Sequence, residues 1–374
     1  MDAGSSRLTK PPSGAGNVFS GRRILITGHT GFKGSWLAFW LSRLGADVTG
    51  FSLAPPTNPN LFDALRLQNH VHHIEGDVRD LVGVASAWAE CSPEIVFHLA
   101  AQSLVRESYS DPLTTIATNI VGTANLLDIA RTSREPVGMV LVTSDKCYEN
   151  RETTAGYRET DCMGGHDVYS MSKGAAELLI SSYRRSFFPA GSDEGKRVAI
   201  ASARAGNVIG GGDWAADRIV PDCIRSLQSG APIEVRHPNA VRPWQHVLEP
   251  LSGYLALGAL LLSPGSADAT KASEAWNFGP GEQNSSTVRE LVERIVAGWG
   301  SGQWIDKSSA SHPHEATMLR LSIEKAETLL DWHPRWDFET TVSRTIDWYR
   351  AFYSGDDMSA WCSRQIDEYC EETS

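Results

Sequence analysis

Residues 24–37 read I-L-I-T-G-H-T-G-F-K-G-S-W-L: an apolar run, glycines at 28, 31 and 34, then an amphipathic stretch that continues to Leu44. A short apolar run followed by a G-x-x-G-x-x-G turn and a helical pattern is the opening of a β-α unit that cradles a dinucleotide pyrophosphate. Glycine serves the tight turn, the close approach of backbone to phosphate and the packing of helix on strand. The helix N-terminus adds free amides and positive potential.

Outward from this stretch the alternation continues through A-D-V-T-G-F-S (46–52), E-I-V-F-H-L-A (94–100), G-M-V-L-V-T-S (138–144) and V-A-I-A-S-A (198–203). These strands are almost wholly apolar, which predicts an α/β fold: a doubly wound parallel sheet with helices on both faces. A dinucleotide-binding domain is expected over 22–206, preceded by a loose Gly/Ser/Pro-rich tail at 1–21. An exposed turn is expected at 190–196. Over 207–374 the pattern turns irregular and richer in Gly, Pro and Trp, as suits a smaller domain closing over a ligand, with some segments returning to the core. Packing helices are expected at 285–298, 322–331 and 339–353.

The second strand ends G-F-S-L-A-P-P, with Ser52 where a ribose-binding acid would stand, so NAD is expected and NADP is not excluded. Lys33 is either a neighbour for a 2'-phosphate or a solvated surface charge. In G-D-V-R-D (76–80), Asp77 either accepts from adenine's amino group or caps the following helix, with Val78 beside it.

Tyr169 and Lys173 lie at i and i+4 in D-V-Y-S-M-S-K, hence on one helix face. A lysine ammonium there lowers a phenol from about 10, letting it take a proton from a hydroxyl as hydride leaves the carbon. With the glycine turn upstream, Ala100 and Gln102 in H-L-A-A-Q, and Asn119 in N-I-V-G-T, the chain resembles the extended short-chain dehydrogenase/reductase family over about residues 22–350. That resemblance implies cofactor contacts at Gly28, Gly31, Phe32, Lys33, Gly34, Asp77, Val78, Ala100, Asn119, Tyr169 and Lys173. It also implies a homodimer or homotetramer, for which the amphipathic stretches 111–131 and 167–186 are available.

V-T-S-D-K-C-Y (142–148), at the end of the fifth strand, resembles the nucleotide-sugar 4,6-dehydratases, and its D-K-C-Y order is similar to those acting on CDP-glucose. The family usually offers a hydroxyl, an acid and a glutamate; here stand Ser144, Asp145 and Lys146. Once the sugar is oxidised at carbon 4, a base removes the carbon 5 proton and an acid protonates the departing carbon 6 hydroxyl. Burial can keep Asp145 protonated for the second task. Lys146 as base must be neutral, which needs desolvation or a nearby cation such as Lys173; otherwise it only orients Asp145 or the ketone oxygen.

R-A-G-N-V-I-G-G-G-D-W (204–214), D-R-I-V-P-D (217–222), R-P-W-Q-H-V-L-E-P (242–250) and H-P-H-E-A (312–316) also look like the CDP-sugar branch. The resemblance places Gln102, Asn207, Arg218, Arg242 and His314 on a CDP-glucose substrate. An amide and two guanidinium groups suit a diphosphate. His312 and His314 are equally surface or capping residues, Arg242 an ion-pair partner, and Trp214, Trp244 and Trp276 core or stacking surfaces.

The chain has 374 residues, 41% hydrophobic and 21% charged, with net charge -11 and no lysine/arginine run, which argues against a nucleic-acid partner. No apolar stretch approaches a membrane span. Six scattered cysteines without a C-x-x-C pair point to a reduced, cytoplasmic setting and no metal site. The rival readings are a 4-epimerase, a dehydratase for another nucleotide sugar, and a non-catalytic dinucleotide-binding protein.

Overall fold

The alternating runs assemble into one seven-stranded parallel sheet in the computed structural model, which describes residues 18–153, 155–281, 285–308 and 319–371. Its strands are β1 (Arg23–Thr27), β2 (Asp47–Ser52), β3 (His72–Glu75), β4 (Ile95–His98), β5 (Val137–Val142), β6 (Val198–Arg204) and β7 (Ala275–Asn277). Across the sheet they run β7-β6-β5-β4-β1-β2-β3. The order reverses between β1 and β4, so a crevice opens beyond their carboxyl ends, where Gly28 and Ala100 emerge. Thr27 pairs in register with His98, and its Oγ1 lies 2.7 Å from His98 Nδ1, tying the two strand ends together.

Because successive side chains leave a strand on opposite faces, each strand feeds two cores. Ile24, Ile26, Phe97 and Val140 face α1 (Phe32–Arg43) and α6 (Leu248–Leu261). Leu25, Val96, Met139 and Leu141 face the other layer, α2 (Leu81–Cys91), α3 (Gly122–Thr132) and α4 (Val168–Phe187). All eight are fully buried, each contributing about 1.5–3 kcal/mol.

Beyond β6 come α5 (Ile219–Ser229), then α6 and β7, which return to the sheet. The chain closes with α7 (Phe338–Ser354) and α8 (Met358–Glu371). Glu249, on α6, accepts the backbone N–H of Arg335 and Trp336 and the hydroxyl of Tyr369, which docks the C-terminal helix on the body.

Two expectations need correction. The loose tail does not reach residue 21: Phe19 is fully buried, because its ring packs beside Gly258 and Phe97, and residues 1–17 lie outside the described residues. The helix expected from 285 begins at Val288, because Thr287 and Glu290 form a reciprocal cap and Ser285–Thr287 pairs as a strand with Val241–Pro243. The helix expected over 111–131 is present, running without interruption from Pro112 to Thr132 with one widened turn at Ala117–Val121.

Candidate active site

Gly28 adopts φ +79°, and a Cβ there would stand 2.6 Å from the backbone nitrogen of Ala100. A Cβ on Gly34 would overlap the Gly28 carbonyl, so helix and turn meet at van der Waals contact. The helix that follows, α1, has no side-chain cap and no acid in its first turn, which leaves the leading amides of Phe32, Lys33 and Gly34 to an anion. Ser52 Oγ lies 2.8 Å from Thr30 Oγ1, confirming a hydroxyl where an acid was looked for.

Asp77 does not cap α2: that role belongs to Asp80, whose Oδ1 accepts from Val82 N at 3.0 Å. The carboxylate of Asp77 receives Arg79 Nε at 2.8 Å, and the hydrogen-bonded guanidinium holds it below the usual carboxylate range. Val78 is buried beside it, its carbonyl held by Asn125 Nδ2 at 2.9 Å.

Lys33 is not a solvated surface charge. It is half-buried and faces Arg218, Asp145, Lys173 and Asp213. Desolvation, aided by Arg218, pulls it down to about 8.

Where β5 ends, a short 3-10 turn, Asp145–Cys147, is capped by Ser144. Ser144 Oγ donates to Asp145 Oδ1 at 2.9 Å, and Asn207 Nδ2 donates to Oδ2 at 3.3 Å. Asp145 is 4% exposed, and its carboxylate fills the space that a Cβ on Gly206 would need. Across from the turn, α4 starts at the Asp167 cap and presents Tyr169 and Lys173, both buried.

Burial pushes the Tyr169 phenol up to about 12, and Asp145 adds to the rise; Ser144 and Arg218 act the other way. Arg218, which the spacing of Tyr169 and Lys173 does not announce, is thus a cation acting on the phenol. Lys173 sits deeper, pulled down to about 8 by burial while Cys147 and Glu177 favour its charge. Lys146, on the neighbouring turn, is half-buried.

Gln102 and Asn119 prove to be braces. Gln102 N donates to Asn119 Oδ1 at 2.9 Å, while Asn119 Nδ2 donates to Gln102 O and to Ser172 Oγ on α4. The Gln102 amide is itself spent on Leu104 and Thr115. These bonds fix the loop after β4 against the helix bearing Tyr169, and each side-chain carbonyl keeps a second lone pair.

Asn207, in the left-handed region at φ +51°, sits at Asp145. Arg218 is held by Asp213 at 2.8 Å and Ser103 at 2.9 Å. Arg242 is half-buried on the short strand Val241–Pro243 and donates to the Val241 carbonyl. His312 and His314 lie outside the described residues. Trp214, Trp244 and Trp276 are core residues, at most 6% exposed. Asp213 and Gly206 were missed, although both stand in the quoted 204–214 stretch.

The profile of the GDP-mannose 4,6 dehydratase family matches residues 25–345. The chain is 47% identical to a CDP-glucose 4,6-dehydratase of Salmonella typhimurium over 358 residues, 96% of this chain and 98% of that one. Identity to a dTDP-glucose 4,6-dehydratase of Streptomyces antibioticus is 29% over 347 residues, 90% and 93% of the two chains. Among solved structures, a dTDP-glucose 4,6-dehydratase from Bacillus anthracis in complex with NAD shares the fold, with TM-score 0.72, 21% identity and coverage of 90% and 99%.

Proposed function

Since the chain belongs to the GDP-mannose 4,6 dehydratase family, we infer that it is an NAD-dependent nucleotide-sugar 4,6-dehydratase that converts CDP-glucose to CDP-4-keto-6-deoxyglucose and water. The observation that carries this reading is the buried Ser144–Asp145 pair held opposite Tyr169 and Lys173. A 4-epimerase has no step that uses an acid there.

The glycine turn fits a dinucleotide, with Gly28, Gly31, Phe32 and Gly34 assigned to the pyrophosphate and Asp77, Val78 and Ala100 to the adenosine side. Tyr169 and Lys173 are assigned to the nicotinamide end. When bound, NAD accepts hydride from carbon 4 of the sugar and returns it to carbon 6.

Tyr169 takes the proton of the 4-hydroxyl, with Ser144 and Arg218 favouring its phenolate against the larger effect of burial. The ketone so formed acidifies carbon 5, and a base removes that proton; Lys146, on the same turn as Asp145, is the assigned group. Asp145 gives its proton to the hydroxyl leaving carbon 6, which departs as water, and the proton held at the base goes back to carbon 5. The proton gained by Tyr169 makes good, through solvent, the one lost from Asp145. Arg218 and Arg242 are assigned to the substrate diphosphate, with Lys33 joining them from the glycine turn.

The test is incubation with NAD and, separately, CDP-, dTDP-, GDP- and UDP-hexoses, read by mass spectrometry. A product lighter by one water from CDP-glucose supports the reading. No such product from any donor overturns it.

A homodimer in the cytoplasm is the proposed working form. What supports it is a band of exposed apolar side chains, Tyr109, Leu113, Val121, Met171, Leu178 and Phe187, along α4 and the segment before α3. Met171 and Leu178 lie at i and i+7, on the face of α4 opposite the reacting side chains. Leu178→Glu places a charge at the centre of that band and is expected to weaken self-association about 100-fold or more. Sedimentation velocity at micromolar concentration checks it, a monomer being the expected species. No described helix is long and apolar enough to cross a membrane.

A further inference from the structure

Beneath the reacting residues lies a buried ion pair that the proposed chemistry does not use. Glu177, 3% exposed, stands on α4 four residues beyond Lys173 and eight beyond Tyr169, on the same helix face. Arg204, 4% exposed and the last residue of β6, donates Nη2 to Glu177 Oε2 at 2.8 Å. The same carboxylate accepts the hydroxyls of Thr143 and Ser202. Burial works against its charge, and Arg204 with these hydroxyls outweighs burial, leaving the carboxyl below its usual range.

The second arm of Arg204 reaches the far end of the turn. Its Nη1 donates to the Tyr148 hydroxyl at 2.5 Å, and that hydroxyl donates to Asn277 Oδ1 on β7 at 2.8 Å. The Arg204 guanidinium also lies 4.9 Å from the Tyr148 ring centroid. The turn Ser144–Lys146 is therefore gripped on both sides, by Glu177 through Thr143 and by Arg204 through Tyr148. Helix and turn abut at Gly174, where a Cβ would lie 3.0 Å from the Cys147 carbonyl.

We propose that Glu177, Arg204 and Tyr148 form a positioning clamp for the dehydration, holding the Ser144–Lys146 turn at the separation from Tyr169 and Lys173 that proton transfer requires. Proton transfer needs heavy atoms within hydrogen-bond reach, and a misplacement of about 1 Å costs on the order of 100-fold in rate. One carboxylate fixes both halves of the site, so the helix and the turn move together or not at all. Burying a charged pair is a poor route to stability in itself, whereas two bidentate groups spanning four elements define a geometry.

The clamp also acts on charge. Lys173 faces Glu177 on its own helix, Cys147 on the turn, Lys33 on α1 and His98 at the end of β4. Glu177 favours the lysine's charged form. Its loss moves the alkaline limb of activity to lower pH.

The test, which rests on the CDP-glucose reading, uses the full-length protein with Tyr148→Phe and Glu177→Gln, both close to isosteric. With CDP-glucose and NAD, kcat is expected to fall about 10-fold for Tyr148→Phe and up to about 100-fold for Glu177→Gln, with KM nearly unchanged. In Glu177→Gln the alkaline limb of kcat/KM shifts down by about one pH unit. Amide hydrogen exchange of the 142–149 segment, measured without substrate, rises about 10-fold in both variants while the rest of the sheet keeps its protection. Unchanged exchange in 142–149 with unchanged kcat overturns the clamp, as does a loss of protection spread evenly over the sheet. Should Glu177→Gln not fold, Tyr148→Phe decides by the same readouts. If wild-type protein leaves CDP-glucose untouched, the functional reading fails, and amide exchange in the variants still decides the clamp.

Discussion

Asp145→Asn is expected to lower the turnover of CDP-glucose by about 1,000-fold, within the 100- to 10,000-fold range for loss of a general acid or base. The substitution keeps the volume and leaves an oxygen to accept from Ser144 or Asn207. What it removes is the proton for the hydroxyl leaving carbon 6. Substrate binding should change little, because the diphosphate is assigned to Arg218, Arg242 and Lys33, so the loss should fall on kcat. Steady-state kinetics with CDP-glucose is the measurement. Turnover within about threefold of wild type would move the acid's task to another group.

Gly206→Ala is expected to cost about 100-fold in kcat through displacement alone. The new methyl would occupy the place of the Asp145 carboxylate, which must swing away from Ser144 and Asn207. Gly206 lies outside the glycine turn in sequence, so dinucleotide affinity should hold near the wild-type value. Kinetics paired with NAD titration by calorimetry separates the two effects. A normal kcat would mean that Asp145 reaches its working position from elsewhere.

The doubly wound sheet was legible because its signals are local: an apolar run, a glycine turn and an amphipathic helix repeat in order, and each can be read without its neighbours. Tyr169 and Lys173 were legible for the same reason, since i, i+4 spacing places them on one helix face. The partners of these residues were not. Arg218 acts on the phenol from 49 positions further along the sequence, a pairing no local spacing announces. The bracing by Gln102 and Asn119 was not legible, because an exposed amide in a loop and a buried brace look alike in sequence; only the reciprocal hydrogen bonds tell them apart. Lys33 sits in the glycine turn, yet its long side chain turns toward Asp145 and Arg218, a direction no spacing rule supplies. Glu177 and Arg204 lie 27 residues apart, on a helix and on a strand, so nothing in their local sequence announces a shared buried pair.

The most direct test of the central claim follows the hydrogen at carbon 4. The protein is incubated with unlabelled NAD and CDP-glucose carrying deuterium at carbon 4, and the product is examined by mass spectrometry and NMR. An intramolecular redox elimination predicts one deuterium in the carbon 6 methyl group of a CDP-4-keto-6-deoxy sugar, with water lost. Deuterium retained at carbon 4 or returned there with inverted configuration, or its loss to solvent, would contradict the account.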